Sequence, residues 1–243
     1  MSRHSKWANI KHRKSKQDAA KGKMFTKVAK EIIMASKAGG GDPLANFRLR
    51  IAVDNAKAIN MPTDNINRAI ARGIGGMESD NYEEFTYEGY GPGGVAIMLD
   101  IATDNRNRTA GDIRHLFSKY GGNLGETGCV NWMFSKVGML LVEREDSSWS
   151  EDDLLLLAAE AGADDLAADE ESFQITCAPE LLWQVKASLE EQGVKLNSAE
   201  TTYVPSNTVA VAGDDAARLM KLMELLDDHD DVQEVYANFD IEE

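Results

Sequence analysis

Residues 138–203 read GMLLVEREDSSWSEDDLLLLAAEAGADDLAADEESFQITCAPELLWQVKASLEEQGVKLNSAETTY, and the succession of patterns in this stretch sets the fold class. Short β-rich runs and helical periods alternate through it. A strand is expected at 139–145, a helix at 150–161, strands at 164–169 and 172–177, a helix at 179–192 and a strand at 194–203. Ser150 with Asp153 makes a capping-box start for the first helix, and Pro179 opens the second. This βαββαβ order matches a ferredoxin-like unit.

Downstream, Thr208–Ala212, Asp214–Asp228 and Val232–Asp240 read as strand, helix and strand. These are too few elements to stand alone. They are expected to complete a sheet begun upstream by strands at Glu83–Tyr87 and Val95–Thr103 and by a helix over Arg108–Tyr120. Residues 133–204 then form an inserted domain within a discontinuous α/β domain of 77–132 plus 205–243. Before Gly73-Ile74-Gly75-Gly76, which reads as a linker, every pattern is helical. The expected fold class is therefore α+β and multidomain: a basic N-terminal helical domain (1–76) followed by two α/β, ferredoxin-like domains, one inserted in the other.

Within the helical domain, Asp18–Ala38 runs without Pro to Gly39-Gly40-Gly41. At about 100° per residue, Lys23, Lys27, Lys30 and Lys37 fall within roughly 40° of one line, joined by Lys16 if the helix begins early. Met24, Phe25, Val28, Ile32 and Ala35 point the other way, so a core face backs a lysine stripe. Asp42-Pro43 reads as the N-cap and first position of a second helix with Leu44, Phe47 and Ile51 inward. Thr63 or Asp64 is expected to cap a third, with Ile66 and Ile70 inward and Arg68 and Arg72 one turn apart.

The charge is divided along the chain. Met1–Arg72 holds 16 of the 26 Lys/Arg but only 5 of the 41 Asp/Glu, a surplus of +11; the remainder, with 10 basic and 36 acidic residues, stands at −26. Such asymmetry points to a polyanionic partner for the basic part. Apolar runs such as Val95–Leu99 are far shorter than a membrane span, and no apolar segment follows the basic start as in a secretory signal. The two isolated thiols, Cys129 and Cys177, suit a reducing cytoplasm.

Ser5–Lys14 packs four basic residues with an indole and an imidazole. Lys6, Lys11, Arg13 and Lys14 can neutralise phosphates, and Trp7 and His12 can stack on bases; alternatively Trp7 packs on the helical domain. Gly89–Gly94 satisfies GxGxxG on paper, but a strand rather than a helix follows, so a hairpin or wide turn is expected and not a dinucleotide site. Thr103–Thr109 joins a strand to a helix. It reads as a capped βα loop, with Arg106 and Arg108 as a phosphate or carboxylate clamp at the helix start. The four histidines have no metal-ligand spacing, no nucleophile motif occurs, and Asp164–Glu171 and Asp227–Asp231 read as solvated acidic faces. No cofactor, metal or catalytic residue is expected.

Six stretches carry a family resemblance: Ser5–Lys14 (SKWANIKHRK), Lys21-Gly22-Lys23, Ile70-Ala71-Arg72-Gly73, Tyr87–Gly94 (YEGYGPGG), Asp104–Thr109 (DNRNRT) and Gly121–Gly125 (GGNLG). In this order they resemble the YebC/PmpR family over essentially the whole chain. Ser2-Arg3 departs from the family's usual Ala-Gly, and Lys136 stands one place early relative to its Phe-x-x-Lys-Gly, so Lys136 is assigned no role. The resemblance implies three domains with a cleft between the two α/β domains, a start at Met1 without a leader, and a bacterial cytoplasmic protein described as a transcriptional regulator that binds promoter DNA. Related members are translation factors, among them a mitochondrial translational activator of cytochrome c oxidase.

The combined expectation is a non-enzymatic, cytoplasmic nucleic-acid-binding regulator of gene expression. DNA or RNA would be held by Lys6, Lys11, Arg13, Lys14, Lys16, Lys23, Lys27, Lys30, Arg68 and Arg72, with Trp7 and His12 stacking. The alternatives are a ribosome-associated factor acting on rRNA or tRNA and, from another class, a small-ligand binder or enzyme using the cleft. A −26 remainder repels extended duplex, which favours local contact or a ribosomal setting. The residues leave DNA and RNA both open, and the oligomeric state with them.

Overall fold

The computed structural model describes residues 21–75, 82–146, 148–169 and 171–241. Three helices come first: α1 (Lys21–Gly39), α2 (Phe47–Ala58) and α3 (Thr63–Ile74). The hinge of this trio is Asn46. Its side-chain oxygen caps α2 by accepting the Leu49 N–H at 3.1 Å, while its amide donates to the carbonyls of Ala35 at 2.7 Å and Gly40 at 2.8 Å, tying down the end of α1. One buried amide thus satisfies groups at two helix ends that would otherwise lack partners.

This corrects the expected start at Asp42, whose carboxylate instead closes a turn by accepting the Leu44 N–H. The shift re-registers α2. Its inward face is Leu49, Ala52, Val53 and Ala56, while Leu44 and Phe47, expected inward, are exposed. Neither Thr63 nor Asp64 caps α3; Pro62 takes that position without a side-chain bond. Gly73 is required because a Cβ there would lie 2.5 Å from the Ile33 carbonyl.

Beyond Tyr82 the period changes to that of strands. β1 (Glu83–Tyr90) and β2 (Ala96–Thr103) pair antiparallel, with Glu83 opposite Thr103 and Tyr90 opposite Ala96. The paper match to a dinucleotide loop, Gly89–Gly94, ends β1 and enters the hairpin connection Gly91–Val95, where the Gly91 N–H donates to Val95 O. α4 (Arg106–Lys119) follows, then the two-residue β3 (Asn123–Leu124). Much later come α7 (Gly213–Asp227) and β9 (Val232–Ala237), and the sheet order is β3-β1-β2-β9.

Gly89 and Gly122, one from each of the two glycine motifs, share one close approach. A Cβ at Gly89 would meet Asn123 O at 2.6 Å and the Phe117 ring at 2.9 Å, and one at Gly122 would meet Tyr90 O at 2.6 Å. Between them, the buried Glu88 carboxylate accepts the N–H groups of Gly128 and Val130, each at 2.7 Å, so the charge is fully hydrogen-bonded.

Residues 131–210 with 236–240 form one compact unit, and 21–130 with 211–235 form the other. The first contains β4 (Phe134–Glu143), α5 (Glu151–Ala161), β5 (Asp165–Ala168), β6 (Ser172–Cys177), α6 (Leu182–Glu191) and β7 (Ser198–Pro205). Its sheet order, β5-β6-β4-β7 with every pair antiparallel, is the ferredoxin-like arrangement. Ser150 caps α5 by accepting the Asp153 N–H at 3.2 Å. Leu140, Phe173, Ile175, Leu154 and Val185 form the core beneath both helices. One expectation fails: β8 (Val209–Val211) does not join the β1–β2 sheet but pairs with β10 (Phe239–Ile241). The long strand read at 232–240 breaks at Asn238, whose carbonyl accepts the Val209 N–H.

Candidate nucleic-acid interface

Lys6, Trp7, Lys11, His12, Arg13, Lys14 and Lys16 lie outside the described residues. The lysine stripe of α1 is described from Lys23 onward, and its positive charge meets an acidic turn. Lys23 pairs with Asp228 at 3.3 Å, Lys27 donates to the carbonyl of Asp227 at 2.6 Å and pairs with its carboxylate at 3.4 Å, and Lys30 pairs with Asp231 at 2.8 Å. Exposure falls along the row: the Lys23 side chain is 53% accessible, that of Lys27 16% and that of Lys30 9%. The stripe predicted as a solvent-facing phosphate surface is therefore closed at Lys30 and nearly so at Lys27. The turn predicted as a solvated acidic face is what closes it. Only Lys23 and Lys37 keep an exposed position on α1's basic row among the described residues.

Asp231 is the centre of this contact. Its Oδ1 takes the Lys30 ammonium; its Oδ2 accepts Thr109 Oγ1 at 2.8 Å, Arg108 Nη2 at 3.0 Å and Thr103 Oγ1 at 3.2 Å. Lys30 further donates to the Asp230 carbonyl at 2.7 Å, and the Asp231 carbonyl accepts the Ala102 N–H, so helix, βα loop and terminal strand converge here. Burial alone would raise the Asp231 carboxyl. The hydrogen bonds from Lys30, Arg108 and Thr109, with the Lys30 charge beside it, outweigh that and hold it far below the usual carboxylate range.

Arg106 and Arg108, read together as a phosphate or carboxylate clamp, have different neighbours. Arg108 grips two carboxylates of this same chain, Asp104 at 2.9 Å and Asp231 at 3.0 Å. Arg106 instead lies over the Phe85 ring at 4.5 Å and stays exposed. Asn105 caps α4 by accepting the Arg108 N–H at 3.1 Å, as the loop reading expected. A second link, missed in the sequence, joins Arg48 of α2 to Glu84 of β1 through both guanidinium branches, with Glu31 at 3.7 Å. Burial pushes the Glu31 carboxyl up, against the pull of Arg48.

Arg68 and Arg72 have a different setting. Both are exposed on α3 and border a groove of about 600 Å³. Its floor is Phe25, Ala29, Ile33 and Met61; Lys30 and Tyr82 also line it, with the Lys30 ammonium 5.4 Å from the Tyr82 ring centre. Among the described residues lining it none is acidic. A neighbouring cavity shares Thr26, Lys30 and Tyr82 but contains Asp104, Asp112, Asp228, Asp230 and Asp231. The exposed cations thus stand beside a groove whose described lining is largely apolar, an arrangement suited to an anion with an apolar part.

Burial pushes both the Cys129 and Cys177 thiols up, away from the reactive thiolate. Among the described residues no group of three His, Cys, Asp or Glu side chains could hold a metal ion, and no helix is long and apolar enough to cross a membrane.

Comparison with known proteins gives a consistent result. Residues 5–76 match the model described as TACO1/YebC protein N-terminal domain, and residues 82–239 match TACO1/YebC second and third domain. A probable transcriptional regulatory protein of Desulfitobacterium hafniense is 61% identical over 241 residues, covering 99% of this chain and 96% of that protein. One from Desulforamulus reducens is 54% identical over 242 residues and covers both chains fully, at 100% each. The solved structure of a conserved hypothetical protein from Aquifex aeolicus superposes with a TM-score of 0.85 at 46% identity, covering 93% of each chain.

Proposed function

The chain belongs to the TACO1/YebC family, and from that premise we propose that it regulates gene expression by binding nucleic acid through its basic helical segment, without catalysing a reaction. The observation that carries this reading is the pair of exposed guanidinium groups, Arg68 and Arg72, beside a groove of the one segment with a cationic surplus. Guanidinium groups suit phosphate because their planar donors match its oxygens, and displaced counterions supply the driving force. The N-terminal residues Lys6, Lys11, Arg13 and Lys14, with Trp7 and His12, add the same chemistry in sequence. The relatives named as probable transcriptional regulatory proteins support the regulatory role. The site of action is the cytoplasm.

DNA is the partner that those names favour; RNA on the ribosome is the second reading, favoured by the −26 charge of the remainder, which repels an extended duplex. Fluorescence anisotropy with labelled duplex and single-stranded 20-mers at low and moderate salt tests the common claim. Binding that weakens linearly in log salt, and a shallower slope for a Lys11→Ala, Arg13→Ala, Lys14→Ala variant, are expected. No binding of any oligonucleotide would remove the proposal. Sedimentation of lysate on sucrose gradients separates the two partners: co-migration with ribosomal fractions supports RNA, whereas its absence together with sequence-dependent duplex binding supports DNA.

A further inference from the structure

We propose that the groove between α1 and α3 is a pocket for a single unstacked nucleobase, with Arg68 and Arg72 holding the phosphates that flank it. This rests on the nucleic-acid reading above and specifies which part of a nucleic acid the helical segment takes. A phosphate-only contact needs cations and polar donors, with no apolar surface beside them. Here the cations border a floor of Phe25, Ala29, Ile33 and Met61 instead. Such a floor rewards a flat apolar body, and Tyr82 adds an aromatic wall.

Polar recognition is also available. Asn65 lines the groove, and its amide oxygen accepts from Arg68, so its N–H donors are what it offers a base edge. The same bond, with that from Arg68 Nε to the Asp64 carbonyl at 3.3 Å, braces the Arg68 guanidinium at the rim. The volume of about 600 Å³ lies within the roughly 300–1,000 Å³ of small-molecule sites, enough for a nucleoside and its phosphate.

The contrast with the adjoining cavity gives the sign of the ligand. Two cavities share Lys30, Thr26 and Tyr82; among the described residues one is lined by five aspartates beside Lys23 and Arg108, the other by Arg68 and Arg72 with no acidic residue. Of the two, the second is the one suited to an anion. Bases inside a duplex are stacked and cannot reach such a floor, so the ligand is a single strand, a loop or an extruded base.

The test measures anisotropy of a labelled single-stranded 12-mer, its matching duplex, and an abasic 12-mer of the same backbone, with the full chain as wild type, Tyr82→Ala and Ala29→Leu. Tyr82→Ala removes the wall, and Ala29→Leu fills the floor. Each variant is expected to lose about 5- to 150-fold in affinity for the single strand, the range of one lost base-on-aromatic stack. The abasic strand should bind the wild type as weakly as the intact strand binds the variants, and neither substitution should weaken it further. The abasic arm needs no variant, so it decides even if Tyr82→Ala unfolds. Intact and abasic strands bound equally, or both variants binding the intact strand as the wild type does, would overturn the pocket while leaving regulation through phosphate contacts standing. No oligonucleotide bound in any form would overturn both.

Discussion

α1 and α3 each carry a basic row at helical spacing, yet the two rows differ in what stands opposite them. On α1, Lys23, Lys27 and Lys30 meet Asp228, Asp227 and Asp231, and the pairing deepens until Lys30 is enclosed. On α3, Arg68 donates to Asn65 and to the Asp64 carbonyl, and Arg68 and Arg72 are exposed beside a groove with no acid among its described lining residues. Periodicity gives the direction of a charged row but not its partner. The partner of the α1 row lies about two hundred residues downstream, and it turns a would-be phosphate surface into a structural contact.

The largest effect expected from this difference is on stability. Asp231→Ala leaves the Lys30 ammonium buried without its carboxylate, which costs roughly 3–5 kcal/mol, read as a lowered midpoint in urea denaturation. Loss below about 1 kcal/mol would mean that the contact is not buried in solution. The pH profile sharpens the same point. The folded Asp231 carboxyl titrates below its ordinary value of 3.8. Its contribution is therefore complete above that ordinary value and is lost as pH falls through the depressed one. Wild type should lose thermal stability steeply below about pH 4, and Asp231→Asn should flatten that part of the curve.

A middle-sized effect is expected on binding. Arg68→Ala with Arg72→Ala should shallow the log–log salt slope for single strands by about 1.4, at roughly 0.7 per phosphate, while changing stability by no more than about 0.5 kcal/mol each. The smallest effect belongs to Lys23→Ala. Its pair is half exposed, and such pairs contribute about 0–1 kcal/mol, so denaturation curves should barely move.

Much of this architecture is legible in the sequence, where one local cause acts. The ferredoxin-like order at 134–205 follows from period and punctuation, and Ser150 caps α5 at the capping-box spacing to Asp153. Asn105 likewise caps α4 from within the DNRNRT motif. Reading fails where two candidates compete or where the cause is distant. Asp42 and Asn46 are both capping residues; Asn46 wins because its amide also holds Ala35 and Gly40, a bond no helical wheel displays. Gly89 and Gly122 look like members of two separate motifs and form one β1–β3 approach packed on Phe117. In the interface, the position of Arg68 and Arg72 one turn apart was readable. The apolar floor beneath them was not, because Phe25, Met61 and Tyr82 come from three separate segments.

The most direct trial of this division between structural and binding cations is a pair of salt titrations on one single-stranded oligonucleotide. Lys27→Ala should bind with the wild-type salt slope, since its ammonium is held by Asp227. Arg68→Ala with Arg72→Ala should bind with a shallower slope at unchanged fold. The reverse result, a shallower slope for Lys27→Ala and none for the arginine pair, would contradict the assignment and return the phosphate surface to α1.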